Sequence, residues 1–266
     1  MTQRFPALFL GHGSPMMLIS DTAERRAMSV LGQRLPRPRA VLAISAHWQT
    51  QGRTHYTAAP WPRTIHDFGG FPDALYQVRY PAPGSDWLQD RLADLLGEQG
   101  QPDRDWGFDH GTYGVLLPLF GEDYVPTVAM SLDRSLDPAG FIALGRALAP
   151  LREEGVLIVG SGNVVHNLSL WRQSQGTQPD WAVEFQGRIN HAMVSADSTA
   201  LSTFQADDRA AALAINSGEH YLPLLPSHGA RMPGDTVGVF NDTVDGALSM
   251  TSYLIGDAAL VEGLGQ

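Results

Sequence analysis

The sequence predicts an α/β fold, a single domain over residues 1–266 with helices flanking a central sheet that is largely parallel or mixed. Three observations carry that prediction. Apolar runs of strand length recur along the chain, each closed by a turn signal; amphipathic helical patterns lie between them; and no internal repeat or Gly/Pro-rich linker divides the 266 residues. A chain of this length hides roughly three quarters of its unfolded surface on folding.

The first strand is read at residues 7–10, closed by Gly11 and His12, and a helix follows over 22–31 with Glu24 near its start. A second strand spans 40–45. From His55 to Gly84 the pattern breaks into Pro, Gly and aromatics, through Trp61-Pro62, Ile65-His66-Asp67-Phe68-Gly69-Gly70-Phe71-Pro72 and Tyr80-Pro81-Ala82-Pro83-Gly84. Segments this long without a period are functional or disordered, and the aromatic content argues for an ordered flap near a site. Beyond it come a helix over 86–96, a strand over 125–132, a helix over 138–151, a strand over 156–159 and a helix over 181–194. The stripe Leu116-Leu117-Pro118-Leu119-Phe120 reads as core. Strands over 236–240 and 248–255 close the chain with no convincing helix between them, which predicts an antiparallel edge. Several of the strands are apolar on both faces, as strands covered by helices are.

Composition narrows the function. The net charge is −10, which disfavours nucleic-acid partners because these are held by Lys and Arg through counterion release. The absence of cysteine excludes disulfides, thiolate metal sites and thiol nucleophiles, so any metal must sit on His, Asp or Glu. The apolar stretch after Arg4 is too short for a signal-peptide core, and no run reaches a membrane span, so a cytoplasmic location with no membrane partner is expected.

Nine histidines carry the rest. His12 lies past the first strand in Gly11-His12-Gly13-Ser14-Pro15, His47 closes the second in Ser45-Ala46-His47-Trp48, and His166 follows the 156–159 strand in Gly162-Asn163-Val164-Val165-His166. Open α/β sheets bind ligands outside the carboxyl ends of their strands, so the active site is expected there and these three are candidates for it. His110, in Phe108-Asp109-His110-Gly111, and His220, in Glu219-His220-Tyr221, sit in similarly unusual contexts; His55, His191 and His228 do not. Without thiolates, neutral imidazoles with or without a carboxylate suit zinc, iron or copper. Three protein ligands that leave positions open make a catalytic centre, and further imidazoles beside it are free to transfer protons. Other motifs fail: Gly160-Ser161-Gly162-Asn163-Val164-Val165 lacks the third glycine of a dinucleotide loop, and no nucleophile elbow, phosphate loop or His-Glu-x-x-His occurs.

At these residues the chain resembles the type II extradiol dioxygenases, the family of the protocatechuate 4,5-dioxygenase catalytic subunit, and within it the 4,5-DOPA dioxygenase branch. The matching stretches are 8–15, 45–48, 64–72, 80–84, 106–111, 161–168 and 219–225, in family order, so the resemblance spans nearly the whole chain. Carried over by position, it implies that His12 and His47 are metal ligands and that the third falls at Glu219-His220. His220 is the match in this branch, and Glu219 is the alternative third ligand, since other extradiol enzymes use two His and one carboxylate. The choice matters, because three imidazoles leave a divalent metal at +2 and favour a doubly deprotonated catechol. The resemblance further implies that His166 is the catalytic acid/base, grouped with the metal site in this branch, and that His110 hydrogen-bonds substrate or oxygen.

The activity so implied opens a small-molecule catechol with O2, by a monomer or homodimer. It uses Fe(II), while redox-inert Zn(II) is able to fill the same ligands without turnover. For L-DOPA the product is 4,5-seco-DOPA, which cyclises to betalamic acid. Trp48, Phe68, Phe71 and Tyr221 are candidates to stack on the ring, with His66 and Arg231 as candidates to meet a substrate carboxylate. The alternative is a zinc-dependent hydrolase or peptidase using the same His cluster, with Glu219 as the base. A non-enzymatic adaptor on the same fold would carry an eroded site, whereas every motif His is in place here.

Overall fold

A computed structural model describes residues 4–204 and 207–265. Its first half runs β1 (Ala7–Gly11), α1 (Ala23–Arg34), β2 (Ala40–Thr50), β3 (Thr54–Thr57), α2 (Asp73–Tyr76), α3 (Asp86–Leu96), β4 (Gly100–Asp103), α4 (His110–Phe120) and β5 (Thr127–Asp133). The second half runs α5 (Pro138–Leu148), β6 (Val156–Gly162), α6 (Leu168–Ser174), α7 (Asp180–Ser195), α8 (Ser198–Ser202), α9 (Arg209–Ala214), α10 (Leu224–Gly229), β7 (Thr236–Phe240), β8 (Val244–Asp245), β9 (Leu248–Ser249), β10 (Ser252–Gly256) and α11 (Ala258–Glu262).

The sheet has eight strands in the order β4-β3-β5-β2-β6-β1-β10-β7. Its centre, β5-β2-β6-β1, is parallel, while β10 pairs antiparallel with both β1 and β7, giving the mixed sheet that the helix-free C-terminal strands predict. Alternation along the central strands sends side chains to two cores. Phe9, Leu42, Ile44, Met130 and Ile158 pack with α3, α5, α7 and α10 on one face. Leu8, Leu10, Val41, Ala43 and Val159 pack with α1 and α4 on the other.

Several elements depart from expectation for identifiable reasons. The predicted strand over 248–255 is broken into β9 and β10, with β8 and β9 forming a small hairpin of their own. The flap is ordered, but its first residues are β3, an edge-side strand beside β5, and α2 lies within it. Helix α4 carries no legible period because its residues are buried nearly all round, with Pro118 inside it. Among the described residues no helix is long and apolar enough to cross a membrane.

The two ends of the parallel strands are built differently. At the N-terminal end Arg152, fully buried, donates to the carbonyls of Phe5 (2.7 Å), Ala230 (2.7 Å) and Ile255 (3.2 Å) and to Asp235 Oδ2 (2.6 Å). One guanidinium thus ties the segment before β1, the end of α10, the last residues of β10 and the turn before β7. Replacing it by Met takes the donor from those carbonyls and leaves the buried Asp235 carboxylate with Arg4 and the Met232 N–H alone. Arg152→Met is expected to lower the stability measured by urea unfolding by about 3–5 kcal/mol, and a loss below about 1 kcal/mol would contradict this role.

Candidate metal centre

The C-terminal end gathers the histidines. His12 is the first residue past β1, and its backbone N–H bonds the Gly162 carbonyl at the end of β6 (3.1 Å). Gly13 then turns the chain at φ +55°, so that residues 13–16 run along a cleft wall. His47 lies inside β2, which extends beyond the predicted end at residue 45, on a stretch where the ladder with β5 slips. Ile44 faces Met130, yet Gln49 already faces Leu132. Such bulges re-aim side chains, and this one carries His47 over the edge of the sheet.

His220 comes from the turn before α10. Its carbonyl accepts from Asn163 N–H (2.8 Å), and a Cβ on Gly162 would stand 2.1 Å from that oxygen, so only glycine lets the turn dock on β6. His110 opens α4, whose N-cap Asp109 accepts from Thr112 N–H. His166 follows β6 and is fixed by its N–H on the Ala214 carbonyl (2.9 Å) and by a bridge to Leu248.

Three of these rings converge. The nearest ligand atoms of His12, His47 and His220 all lie within 4.8 Å of one another, with Nε2 of His12 and of His47 only 3.2 Å apart. His110 packs beside His47 at a centroid distance of 4.0 Å, and His166 stacks flat on His220 at 3.4 Å. His166 falls in a second group that shares His220, its ligand atom lying within 4.8 Å of those of Glu219 and His220.

The outer nitrogen of each converging ring is occupied. Ser161 donates its hydroxyl proton to the Gly111 carbonyl (2.5 Å), so its oxygen accepts from His12 Nδ1 (3.0 Å), which must carry the proton and leave Nε2 bare. Glu219 Oε1 lies 3.0 Å from His220 Nδ1 and also accepts from Ser217 Oγ (2.9 Å). Asp67 Oδ2 stands 3.2 Å from His47 Nδ1 and 2.9 Å from His110 Nδ1, while its Oδ1 accepts from the His110 backbone N–H (2.8 Å). Asp67 was not singled out from sequence; its signal was a carboxylate in the aromatic flap, two residues ahead of the Gly69-Gly70-Phe71-Pro72 turn.

Electrostatics keep the imidazoles neutral. Burial, and then the neighbouring imidazoles, hold His12 and His47 well below the ordinary histidine range. Burial followed by His220 pushes His166 down to about 3. His220 is also lowered by burial, against the pull of Glu219. Burial would raise both carboxyls beside them, but His110 outweighs it at Asp67, and His220 with Ser217 and the backbone outweighs it at Glu219, which falls to about 2. The centre therefore offers bare neutral nitrogens backed by ionised carboxylates, a pattern suited to a cation.

The cluster opens into a cleft of about 540 Å³, walled by Ser14, Met16, Phe68, Phe71, Leu168, Trp171, Arg172 and Leu248 besides the imidazoles and Asp67. Phe68 and Phe71 are on that wall. Trp48 is not: neighbours on a strand point to opposite faces, so with His47 in the cleft Trp48 is buried and stacks on Trp106. Tyr221 is not on it either: its hydroxyl donates to the Leu201 carbonyl (2.9 Å) in the core beside Phe185 and Phe204. His66 is absorbed inside the flap, with Nε2 3.0 Å from the Val78 carbonyl. Arg231 is at the far end of the sheet, donating to the Met193 and Asp235 carbonyls. Trp171, Arg172 and Leu248 escaped sequence reading because α6 and the β8–β9 hairpin meet only in three dimensions.

Comparison with known proteins agrees with this arrangement. Residues 6–230 match the family described as the catalytic LigB subunit of aromatic ring-opening dioxygenase. The 4,5-DOPA dioxygenase extradiol of Escherichia coli (strain K12) is 42% identical over 95% of each chain. The protein of the same name from Beta vulgaris is 33% identical over 92% of this chain and 94% of its own. A crystal structure of an uncharacterized protein from Escherichia coli K12 superposes with a TM-score of 0.82 at 38% identity, covering 95% of this chain and 100% of that one.

Neutral buried imidazoles make the metal-free protein acid-sensitive. A histidine whose folded pKa lies below its unfolded value binds protons first in the unfolded state, so stability is full above about pH 6.5 and falls as the pH drops towards the folded value. His228, away from the centre, is held at about 4 by burial and then by Arg231 and Arg146. At pH 5 it should cost about 2 kcal/mol relative to pH 7. Urea unfolding of chelator-treated protein is expected to show the loss, and His228→Gln to shrink the pH 7-to-5 difference by about that amount; an identical difference in the variant would contradict it.

Proposed function

The chain belongs to the LigB family of aromatic ring-opening dioxygenases, and from that premise we propose that it is an iron(II)-dependent extradiol enzyme acting on L-DOPA, cleaved at the 4,5 bond, or on a related catechol. That it is a ring-cleaving dioxygenase follows from the family and from relatives named 4,5-DOPA dioxygenase extradiol. The observation that carries the finer reading is the convergence of His12, His47 and His220, each with its outer nitrogen engaged. Two nitrogens on one ion at roughly 2.1 Å stand roughly 3.0–3.4 Å apart, and the 3.2 Å between His12 and His47 fits that. Glu219 is the backing group of the third ligand in this reading, because its Oε1 meets both His220 Nδ1 and Ser217 Oγ.

His12, His47 and His220 would hold ferrous iron, which would supply the redox chemistry that lets a catechol react with O2. The chain does the rest. His166, neutral and on the cleft wall, accepts the proton of a catechol hydroxyl and returns it to oxygen as the ring opens. His110, with Nδ1 against Asp67, presents Nε2 to the same space as a hydrogen-bond partner for the reacting oxygens. Phe68, Phe71 and Leu168 give the ring an apolar wall and keep bulk water from it. The hydrolase alternative finds no support: its base would be Glu219, which is turned to His220 and lines no part of the cleft.

Anaerobic loading of metal-free protein tests the proposal. Ferrous iron is expected to restore the yellow ring-opened product from a catechol panel and zinc to restore none; activity with zinc but not with iron would overturn it. Asp67→Asn removes the charge behind His47 and His110 and is expected to weaken metal binding by about 10- to 100-fold, measured by competition with a chelator.

A further inference from the structure

We propose that Arg172 selects the substrate by holding a carboxylate on the catechol's side chain, so that acidic catechols are preferred over neutral or cationic ones. This rests on the reading of the cleft as a catechol site and adds to it the residue that sets its preference.

Four observations converge on Arg172. Leu168, Trp171 and Arg172 stand at helical spacings of three and four on α6, share one of its faces, and all reach the cleft wall. Arg172 is the one guanidinium on that wall, and the chain contains no lysine to take its place. Among the described residues no carboxylate lies within ion-pair distance of it, and no hydrogen bond engages it, whereas the wall's acidic group, Asp67, is taken up by His47 and His110.

The helix that carries it is fixed. Asn167 caps α6 by accepting from Leu170 N–H and anchors it through the Leu213 carbonyl, and Asp245 receives both Trp171 Nε1 (3.3 Å) and Gly176 N–H (2.6 Å). The side chain is thus a free cation on a clamped support, four residues or roughly 6 Å along the helix beyond Leu168. That offset suits an anionic group separated from the diol by a short side chain.

Charge makes the device necessary. With a net charge of −10 the protein as a whole repels an anionic ligand, and a planar guanidinium at the cleft mouth counters that locally with paired hydrogen bonds. The other basic candidates are accounted for, His66 within the flap and Arg231 at the opposite end of the sheet.

The test compares three catechols that differ in side-chain charge: 3-(3,4-dihydroxyphenyl)propionate, 4-ethylcatechol and dopamine. Arg172→Met is expected to raise KM for the propionate by about 10- to 100-fold with kcat within about threefold, to leave the 4-ethylcatechol KM within about threefold, and to lower the dopamine KM. Arg172→Lys should recover part of the loss, and Arg104→Met, which removes the same charge from an exposed site elsewhere, should reproduce none of it. Equal KM shifts on all three substrates, or the same pattern in the Arg104 variant, would overturn the assignment. A second readout needs no turnover: 3-phenylpropionate, followed by ligand-observed NMR, should bind the wild-type protein and lose affinity at least about tenfold in Arg172→Met. Unchanged binding there, or none to the wild type, counts against Arg172, whereas failure to open any catechol after iron loading counts against the catechol reading itself.

Discussion

Everything at the functional end of this molecule depends on crowding imidazoles into a place where they cannot all be charged. His12, His47, His110, His166 and His220 lie within ring-contact distance of at least one another, and burial with mutual repulsion keeps His12, His47, His166 and His220 from taking protons. Such a cluster costs stability unless each outer nitrogen finds a partner. A hydroxyl meets His12, Glu219 meets His220 and Asp67 stands beside His47, and these partners serve a second purpose by setting which nitrogen is left bare. A hydrogen-bonding necessity and a ligand geometry are here the same set of contacts.

The fold meets that constraint by drawing each ring from a separate element and anchoring it through backbone. His12 hangs from the end of β1 on a bond to β6, His47 rides the slip in β2, and the His220 turn closes onto β6 through Asn163 and the space left by Gly162. These three converge around β6, the strand that lies between β2 and β1 in the sheet although it comes after both in the chain. Inserting a late strand between two early ones is what separates their ends enough to leave a crevice. At the other end of the strands the Arg152 network instead ties the segment before β1 to the end of α10, to β10 and to Asp235.

The central architecture was legible because strands covered on both faces read as continuous apolar runs, and β1, β2, β5 and β6 are such strands. Histidines at strand ends were legible for a related reason: a polar ring directly after a buried run has to sit at the sheet's edge. What could not be read was orientation. His47 and Trp48 are adjacent in sequence, and only the pleat decides that one enters the cleft and the other the core. Tyr221 shows the same limit, being next to His220 yet turned into the α7 and α8 layer. Asp67 and Arg172 were missed because their meaning is relational: a carboxylate in a flap and an arginine on a short helix become informative once the flap and the helix are seen to face the same space.

The carboxyls beside the cluster extend the same logic of charge. Asp67 and Asp109 are close enough for each to feel the other, and their surroundings drive them in opposite directions. Asp67, against His110 and His47, is held below the ordinary carboxylate range although burial opposes this. Asp109 is fully buried, and burial followed by the charge on Asp67 raises it despite the bonds from Ser45 Oγ (2.6 Å) and Thr112 N–H (2.9 Å) to Oδ1. Its Oδ2 has no partner among the described residues, the condition in which an added proton costs least. Asp109 caps α4 and tethers Ser45, while Asp67 supplies negative charge behind His47 and His110. The carboxylate that touches the imidazoles is thus the one drawn towards ionisation, while the one buried behind it is drawn towards its neutral form.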